Sequence, residues 1–309
     1  MADNFSTQPA LAQPAALAQR PVRVLAVGAT GRLGRLLVPA WRSSAFGLTS
    51  GLELALQARS EGKGADILFD PLADSVDFRR AAEAADVVLC LAGVTPGQDV
   101  EMGLNVTLAQ AACEAGKATE RPVILASSAA VYGRGSADLP LAEDGPLAPL
   151  SDYGRAKVAM EEMARGYART CCLRIGNVAG ADALLGAEAP AAGRVLDMFG
   201  GMADKPHGPL RSYIGPVTLA QALARLARFL AAGARVPEIL NMAEPDLVSM
   251  DALLRAAGEP FTPRPAPAEA IERVELDVSR AVALGLVPER PVEATRLVAE
   301  LRQLRGDLR

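Results

Sequence analysis

The chain has 309 residues, 50% of them apolar, and a formal net charge of −4. That length allows one large or two ordinary domains with a sizeable core, and the charge provides no basic field for nucleic acid. No apolar run approaches the ~20 residues of a membrane span, and the single histidine, His207, excludes a histidine-rich metal site.

Aromatic residues are only 4% of the chain, so Ala, Leu and Val must do most of the packing. Cys90, Cys113, Cys171 and Cys172 form no Cys-x-x-Cys pair. They read as buried apolar thiols of a reducing, cytoplasmic compartment, and no metal is expected. A Ser-His-Asp hydrolase would have to use His207, which sits in Lys-Pro-His-Gly-Pro and reads as an exposed loop residue.

Residues 1–20 are rich in Ala, Gln and Pro and lack the basic start and apolar core of a signal peptide. They are expected to be a disordered extension. Arg23 to Val27 then reads as a strand, and Leu33 to Trp41 as a helix. Between them lies Gly28-Ala29-Thr30-Gly31-Arg32-Leu33-Gly34, three glycines at three-residue spacing. Such a turn suits a pyrophosphate bound on backbone N–H groups at a helix N-terminus. Gly28 permits the tight turn, Gly31 the approach of phosphates, and Gly34 close helix–strand packing.

Strands are expected at Leu52–Ala58 and Asp66–Phe69, a helix at Asp77–Ala85, and an apolar strand at Asp86–Ala92. Val100–Ala115 reads as a helix capped by Gly116. Val123–Ser127 is a strand running into Ser128-Ala129-Ala130-Val131-Tyr132-Gly133. Ligands of an open α/β sheet bind at such a strand end, where a serine can hydrogen-bond a hydroxyl or carbonyl. Asp152–Ala168 reads as a helix opening on Tyr153-Gly154-Arg155-Ala156-Lys157. Residues i and i+4 share a helix face. A lysine there favours the phenolate of a tyrosine whose ordinary pKa is about 10.

Cys171–Ile175 closes a series of continuous apolar strands between helices. The series predicts a parallel sheet covered on both faces. Gly, Ala and Pro cluster from Gly180 to Pro209. Helices follow at Val217–Ala232, Met250–Ala257 and Pro291–Leu304, a strand at Glu238–Met242, and a Pro-rich loop at Pro260–Pro267. No internal repeat is present.

The glycine turn, the Ser-Ser-x-x-Val-Tyr-Gly strand end and Tyr-x-x-x-Lys occur in the order of a known family. From about Val22 to Asn241 the chain resembles the extended short-chain dehydrogenase/reductases, the NAD-dependent epimerase/dehydratase group. The resemblance implies a Rossmann-type doubly wound α/β fold. It implies a dinucleotide-binding domain over residues 21–180 and a smaller, mainly substrate-binding region over 181–309, with 210–243 returning to the first domain. It makes Ser128, Tyr153 and Lys157 catalytic, with Tyr153 the general acid/base and Lys157 holding the nicotinamide ribose. It gives cofactor contacts to Gly28, Gly31, Arg32, Leu33 and Gly34, to Asp70 by the adenine, to Leu91-Ala92-Gly93, and to Asn105. Leu173-Arg174-Ile175-Gly176-Asn177 resembles a segment whose asparagine lies by the substrate. Arg211-Ser212-Tyr213-Ile214 resembles one whose arginine holds a nucleotide-sugar diphosphate. The helices Val100–Ala115 and Asp152–Ala168 are expected to pair across a homodimer.

Two departures from the family pattern refine the expectation. NAD-binding members end the second strand with an acid for the ribose 2′-hydroxyl. Here that strand ends Leu56-Gln57-Ala58-Arg59, and Arg59 suits a 2′-phosphate, so NADP is the expected cofactor, with NAD the alternative. Dehydratases place acids after the serine, where this chain has Ala129 and Ala130. The expected function is hydride transfer between a nicotinamide and a hydroxyl or carbonyl carbon of a small molecule, as oxidoreductase or epimerase, on a nucleotide sugar or another alcohol. A dinucleotide-binding regulator without turnover would share the turn, but the serine, tyrosine and lysine together favour the enzyme.

Overall fold

The computed structural model describes residues 20–47, 51–61, 64–95, 101–134, 139–186, 194–200 and 205–307. In chain order the elements are β1 (Val22–Val27), α1 (Arg32–Arg42), β2 (Leu52–Ala58), β3 (Ile67–Leu68), α2 (Ser75–Glu83), β4 (Val87–Cys90), α3 (Leu104–Thr119), β5 (Val123–Ser128), α4 (Asp152–Ala164) and β6 (Thr170–Ile175). The second half adds β7 (Asn177–Val178), β8 (Val195–Met198), β9 (Leu210–Arg211), β10 (Tyr213–Ile214), α5 (Pro216–Ala231), β11 (Ile239–Met242), β12 (Val248–Ser249), α6 (Met250–Ala257), β13 (Thr262–Pro265), β14 (Arg273–Val274), α7 (Ser279–Ala283) and α8 (Ala294–Asp307).

Seven strands form one parallel sheet in the order β11-β6-β5-β4-β1-β2-β3. Every residue of β4 and β6 is buried, because helices cover both faces. One face packs on α1 and α5 through Leu37, Trp41, Leu219, Leu223 and Leu226. The other packs on α2, α3 and α4 through Phe78, Ala109, Ala112 and Met160. The strand order reverses between the neighbours β1 and β4, so their carboxyl ends flank a crevice where ligands of this sheet type bind. This is the parallel sheet covered on both faces that the alternating pattern predicted, in the Rossmann-type doubly wound form that the family resemblance implied. β11 pairs with β6, so the chain returns to the main sheet late in its course. Among the described residues no helix is long and apolar enough to cross a membrane.

Several sequence expectations are corrected. Gly116 does not cap α3, which runs on to Thr119, while Glu120 takes the left-handed closing conformation with φ 56°. Gly116 is a glycine for packing, since a Cβ there would lie 2.3 Å from Val123 Cγ2. α3 also starts later than expected, at Leu104, and residue 100 lies outside the described residues. α4 ends at Ala164, short of Ala168. The Pro-rich stretch from Pro260 is not only loop: β13 pairs in parallel with β8. Thr262 and Ala266 donate backbone N–H groups to Arg194 and Met198. Successive N–H groups of a strand point to opposite edges, so Pro263 and Pro265 fall on the side that needs no donor. His207 is half-buried, not exposed, with Nδ1 2.9 Å from the Gly208 carbonyl and Nε2 3.4 Å from Glu272. The expected disordered extension lies outside the described residues except Arg20, which is paired with Asp86 at 2.7 Å.

The start of α5 has no acidic residue of its own. Glu300 on α8 supplies one, accepting from Val217 N at 2.9 Å, Thr218 N at 3.0 Å and Thr218 Oγ1 at 2.7 Å. Helix N–H groups without partners are satisfied here from the chain's last helix. Glu300→Ala is expected to cost about 1–3 kcal/mol by leaving these donors unpartnered, read as a lower Tm. Burial holds the Glu300 carboxyl above its ordinary pKa. The folded protein therefore binds this proton more tightly than the unfolded chain. The contribution is complete below the unfolded pKa and is lost as pH rises through the folded one. Glu300→Gln should flatten that part of the Tm–pH curve.

Candidate active site

The glycine turn follows β1 directly. Gly28 has φ +78°, and a Cβ there would lie 2.6 Å from Ala92 Cα, so the loop after β4 can press against the turn. Gly31 N donates to the Gly28 carbonyl at 3.0 Å. Gly34 packs on the preceding backbone, since a Cβ would lie 2.1 Å from Ala29 O. Gly31 is also the N-cap of α1, which has neither a side-chain cap nor an acid in its first turn. Its first N–H groups are thus left for an anion. The residues present fit a dinucleotide pyrophosphate.

A cleft runs along these strand ends in two joined halves. One half, about 290 Å³, is lined by Gly28, Gly31, Gln57, Arg59, Asp70, Leu91, Ala92 and Gly93. The other, about 250 Å³, is lined by Gly31, Arg32, Leu33, Leu91, Gly93, Asn105, Ser128, Tyr153, Lys157 and Asn177. The structure therefore brings fifteen named residues from across the fold to one crevice, and nearly every candidate from the sequence is among them. Gly34 lies just behind the crevice as a packing residue.

Ser128 ends β5. Its Oγ accepts from Ala130 N at 3.2 Å, within a 3-10 turn over Ala129–Tyr132, which leaves the hydroxyl proton to donate outward. Tyr153 begins α4, which Ser151 caps through Gly154 N at 3.1 Å. Burial pushes the Tyr153 phenol up, against the pull of the Ser128 hydroxyl and the Arg32 charge. Lys157 follows one turn later and is 4% exposed. Its Nζ lies 5.7 Å from the centre of the Tyr153 ring and donates to the Ala126 carbonyl at 2.7 Å. Burial pulls its pKa down to about 8, opposed by Cys90, Cys172 and Glu161. The expectation that Lys157 favours the phenolate changes in emphasis. Its ammonium turns to a backbone carbonyl, and in this state Ser128 and Arg32 are the groups that pull the phenol down.

Asn105 lines the cleft, but its amide is taken up by backbone. Nδ2 donates to Val94 O at 3.0 Å and Met102 O at 3.1 Å, and Oδ1 accepts from Val94 N at 3.2 Å. It fixes the loop after β4. Asp70 likewise holds a local turn, its Oδ1 accepting from Leu72 N at 2.9 Å. Arg211 does not reach the cleft lining. Its guanidinium donates to the carbonyls of Leu210, Glu272 and Ile271 at 2.8, 3.0 and 2.8 Å. Among the described residues no cluster of His, Cys, Asp or Glu is arranged to hold a metal, and all four cysteines are buried free thiols.

Two features escaped the sequence. Gln57 is 2% exposed, accepts from Gly28 N at 3.0 Å and donates to Phe69 O at 2.6 Å, tying the glycine turn to β3. Its signal was a lone amide in an otherwise apolar strand end. Glu161 is 1% exposed and binds Arg174 and Ser127. Its signal was a carboxylate one helical turn past Lys157.

The doubly wound sheet, the glycine turn after β1 and a cleft lined by Ser128, Tyr153 and Lys157 agree with an extended short-chain dehydrogenase/reductase. The model of the NAD dependent epimerase/dehydratase family matches residues 24–204, more than half of the chain, and the protein belongs to that family of nicotinamide-dependent enzymes. A UDP-glucose 4-epimerase from Azospirillum brasilense is 36% identical over 127 residues, covering 32% of this chain and 35% of that protein. The match thus spans about a third of the curated relative's length. Among solved structures, a UDP-glucose 4-epimerase from Brucella ovis in complex with NAD has a TM-score of 0.72 at 22% identity, covering 90% of this chain and 96% of that one. MoeE5 in complex with UDP-glucose and NAD gives 0.69 at 23%, covering 93% and 100%. A UDP-N-acetylglucosamine 4-epimerase from Bacillus cereus gives 0.70 at 18%, covering 92% and 100%. At these identities the structures speak for the fold.

Gln57→Leu keeps the strand's volume but strands the Gly28 N–H and the Phe69 carbonyl. Tm is expected to fall by the equivalent of about 1–3 kcal/mol. Affinity for the nicotinamide dinucleotide should fall with it, checked by fluorescence titration with the reduced cofactor at a temperature where both proteins are folded.

Proposed function

We propose that the protein transfers hydride between a nicotinamide cofactor and a carbon bearing a hydroxyl or carbonyl, as an oxidoreductase or epimerase acting on a nucleotide sugar. The observation that carries this is the meeting of Ser128, Tyr153 and Lys157 in the cleft that begins at the glycine turn. A bound nicotinamide cofactor supplies or accepts the hydride. Ser128, whose Oγ already accepts from Ala130 N, donates its proton to the substrate oxygen and fixes its position. Tyr153, its phenol held protonated by burial, gives that oxygen a proton when a carbonyl is reduced. In the reverse direction it takes the proton back, so oxidation of the alcohol should speed up with rising pH. Lys157 sits beneath the tyrosine ring and holds the ribose side of the cleft. An epimerase would use the same proton step twice, with the ketone turned over between. The Ala129 and Ala130 side chains after Ser128 offer no carboxylate for a leaving hydroxyl, so dehydration is not part of the proposal.

The proposed cofactor is NADP. Arg59 stands exposed at the end of β2 and lines the same half-cleft as Asp70, with no acid at the strand end to meet a ribose 2′-hydroxyl. The structural neighbours in complex with NAD make NAD the alternative. Substrate contacts are assigned to Ser128 and Asn177. Arg211 would take a diphosphate only by exchanging its carbonyl bonds. The region from residue 181, apart from the return through α5 and β11, would build the substrate side. The proposed assembly is a cytoplasmic homodimer through α3 and α4.

Tyr153→Phe is expected to abolish turnover of UDP-glucose, UDP-galactose and related sugars while leaving NADPH bound; a fully active variant contradicts the mechanism. Arg59→Ala should weaken NADPH by ~10–100-fold, the equivalent of losing charged hydrogen bonds worth about 1.5–3 kcal/mol, and leave NADH nearly unchanged. Equal effects on the two nucleotides would overturn the NADP assignment.

A further inference from the structure

The half-cleft that holds Arg59 has a neighbour across the glycine turn. This second cavity, about 920 Å³, lies between α1 and the end of β2 and is lined by Thr30, Arg35, Val38, Arg42, Leu56 and Gly64 among others. Thr30 lines both cavities, so they meet at the turn. The end of β2 is stapled to the turn at the same place, where Gln57 accepts from Gly28 N at 3.0 Å, two residues before Arg59. On the α1 side, Arg35 Nε donates to the Thr30 carbonyl at 3.0 Å. That bond sets the guanidinium beside the turn and leaves Nη1 and Nη2 to donate elsewhere. Arg35 and Arg59 are both exposed. Among the described residues neither has a carboxylate within ion-pair reach, whereas Arg42, farther along α1, pairs with Asp66 at 3.8 Å. The one acid among the described lining residues of the two cavities is Asp70, whose Oδ1 is taken by Leu72 N.

We propose that Arg35 is a second specificity-determining residue for the cofactor: with Arg59 it forms a two-arginine clamp on the 2′-phosphate of the adenosine ribose, Arg59 reaching it from the end of β2 and Arg35 from the first turn of α1. This role rests on the NADP reading and deepens it. A phosphate monoester is close to dianionic at neutral pH and offers three strong acceptor oxygens, more than one guanidinium neutralises. Arginine suits such a group because its planar fork donates to two oxygens at once. The Thr30 carbonyl gives Arg35 a fixed point beside the site, so less side-chain freedom is lost when the phosphate arrives. The side of the turn on which Arg35 stands also separates it from the pyrophosphate. Gly31, at the start of α1, lines both halves of the cleft, and its end of the helix is the pyrophosphate site. Arg35 lines neither half, only the cavity beyond Thr30 that β2 borders through Leu56. The ribose 2′-position belongs at that β2 end of the turn.

The test needs neither substrate nor hydride transfer. Calorimetric titration of the full chain with adenosine 2′,5′-bisphosphate and with adenosine 5′-monophosphate, at low salt, isolates the 2′-phosphate. The wild type should prefer the bisphosphate. Arg35→Ala should cut that preference by about 10-fold or more and leave the monophosphate nearly unchanged. Arg35→Gln keeps a donor for the Thr30 carbonyl but removes the charge, and it should lose the preference equally, while Arg35→Lys should retain part of it. NADPH and NADH should repeat the pattern on the intact dinucleotide. Equal losses for the two members of each pair would make Arg35 a brace of the turn or a pyrophosphate contact. An unchanged preference in Arg35→Ala would leave the 2′-phosphate to Arg59 alone. Either result overturns the clamp while the NADP reading stands on Arg59→Ala. A wild type without preference for the bisphosphate, unmoved by Arg59→Ala, would overturn the NADP reading itself and the clamp with it, so the two failures are distinguishable.

Discussion

The buried pair of Glu161 and Arg174 is the interaction on which the rest of the site depends. Removing one member of such a pair leaves an uncompensated charge and typically costs about 3–5 kcal/mol. The pair's net contribution to stability is smaller than that figure, because both groups had to be taken out of water. What it secures is register. Arg174 Nη1 also donates to the Tyr132 hydroxyl and to the Glu143 carbonyl, both at 2.9 Å. Tyr132 in turn donates to Asn241 Oδ1 at 2.8 Å, and Asn241 N donates to Glu143 Oε1 at 3.0 Å. One polar network thus ties α4 to β5, β6 and β11. A helix that slipped by one residue on this sheet would break it, and Tyr153 and Lys157 would leave the strand end together.

The second constraint is backbone contact. The glycine turn and the loop after β4 meet where Gly28 presses on Ala92, and no side chain fits between them. Gln57 braces the turn from the β3 side, and Asn105 braces the loop from α3. The cleft is therefore framed by groups whose own hydrogen bonds are already spent on backbone. That is the arrangement expected of a preorganised site, in which polar groups aimed at the reacting oxygen need little rearrangement. Ser128, Tyr153, Asn177 and Lys157 line this cleft, and they are the residues for which the chemistry is proposed.

Much of this was legible in the sequence because the signals are local. β2 and α6 have the bounds that apolar runs and flanking polar residues define, and the other central strands differ by a few residues at most. The glycine spacing and the i, i+4 tyrosine and lysine report geometry that short stretches of chain determine alone. What escaped depends on distant partners. Gly116 looks like a cap until Val123 is seen against it. Pro263 and Pro265 look like loop until β8 supplies an edge that needs no proline N–H. Arg211 carries a family motif, yet its guanidinium is consumed by the carbonyls of Ile271 and Glu272, a segment that no local pattern pairs with it. Glu161 sat in plain view on the helix of Lys157, but its meaning comes from Arg174, brought beside it by the crossover to β6.

The proposed reaction in this cleft is hydride transfer between a sugar carbon and nicotinamide. The most direct measurement is rapid mixing of the NADP-loaded protein with UDP-glucose or UDP-galactose, protonated or deuterated at the reacting carbon, while reduced-nicotinamide absorbance is followed. The account predicts that reduced nicotinamide forms within the first turnover and forms more slowly from the deuterated sugar. Conversion of sugar with no reduced nicotinamide and no isotope effect, on protein shown to hold the cofactor, would contradict it.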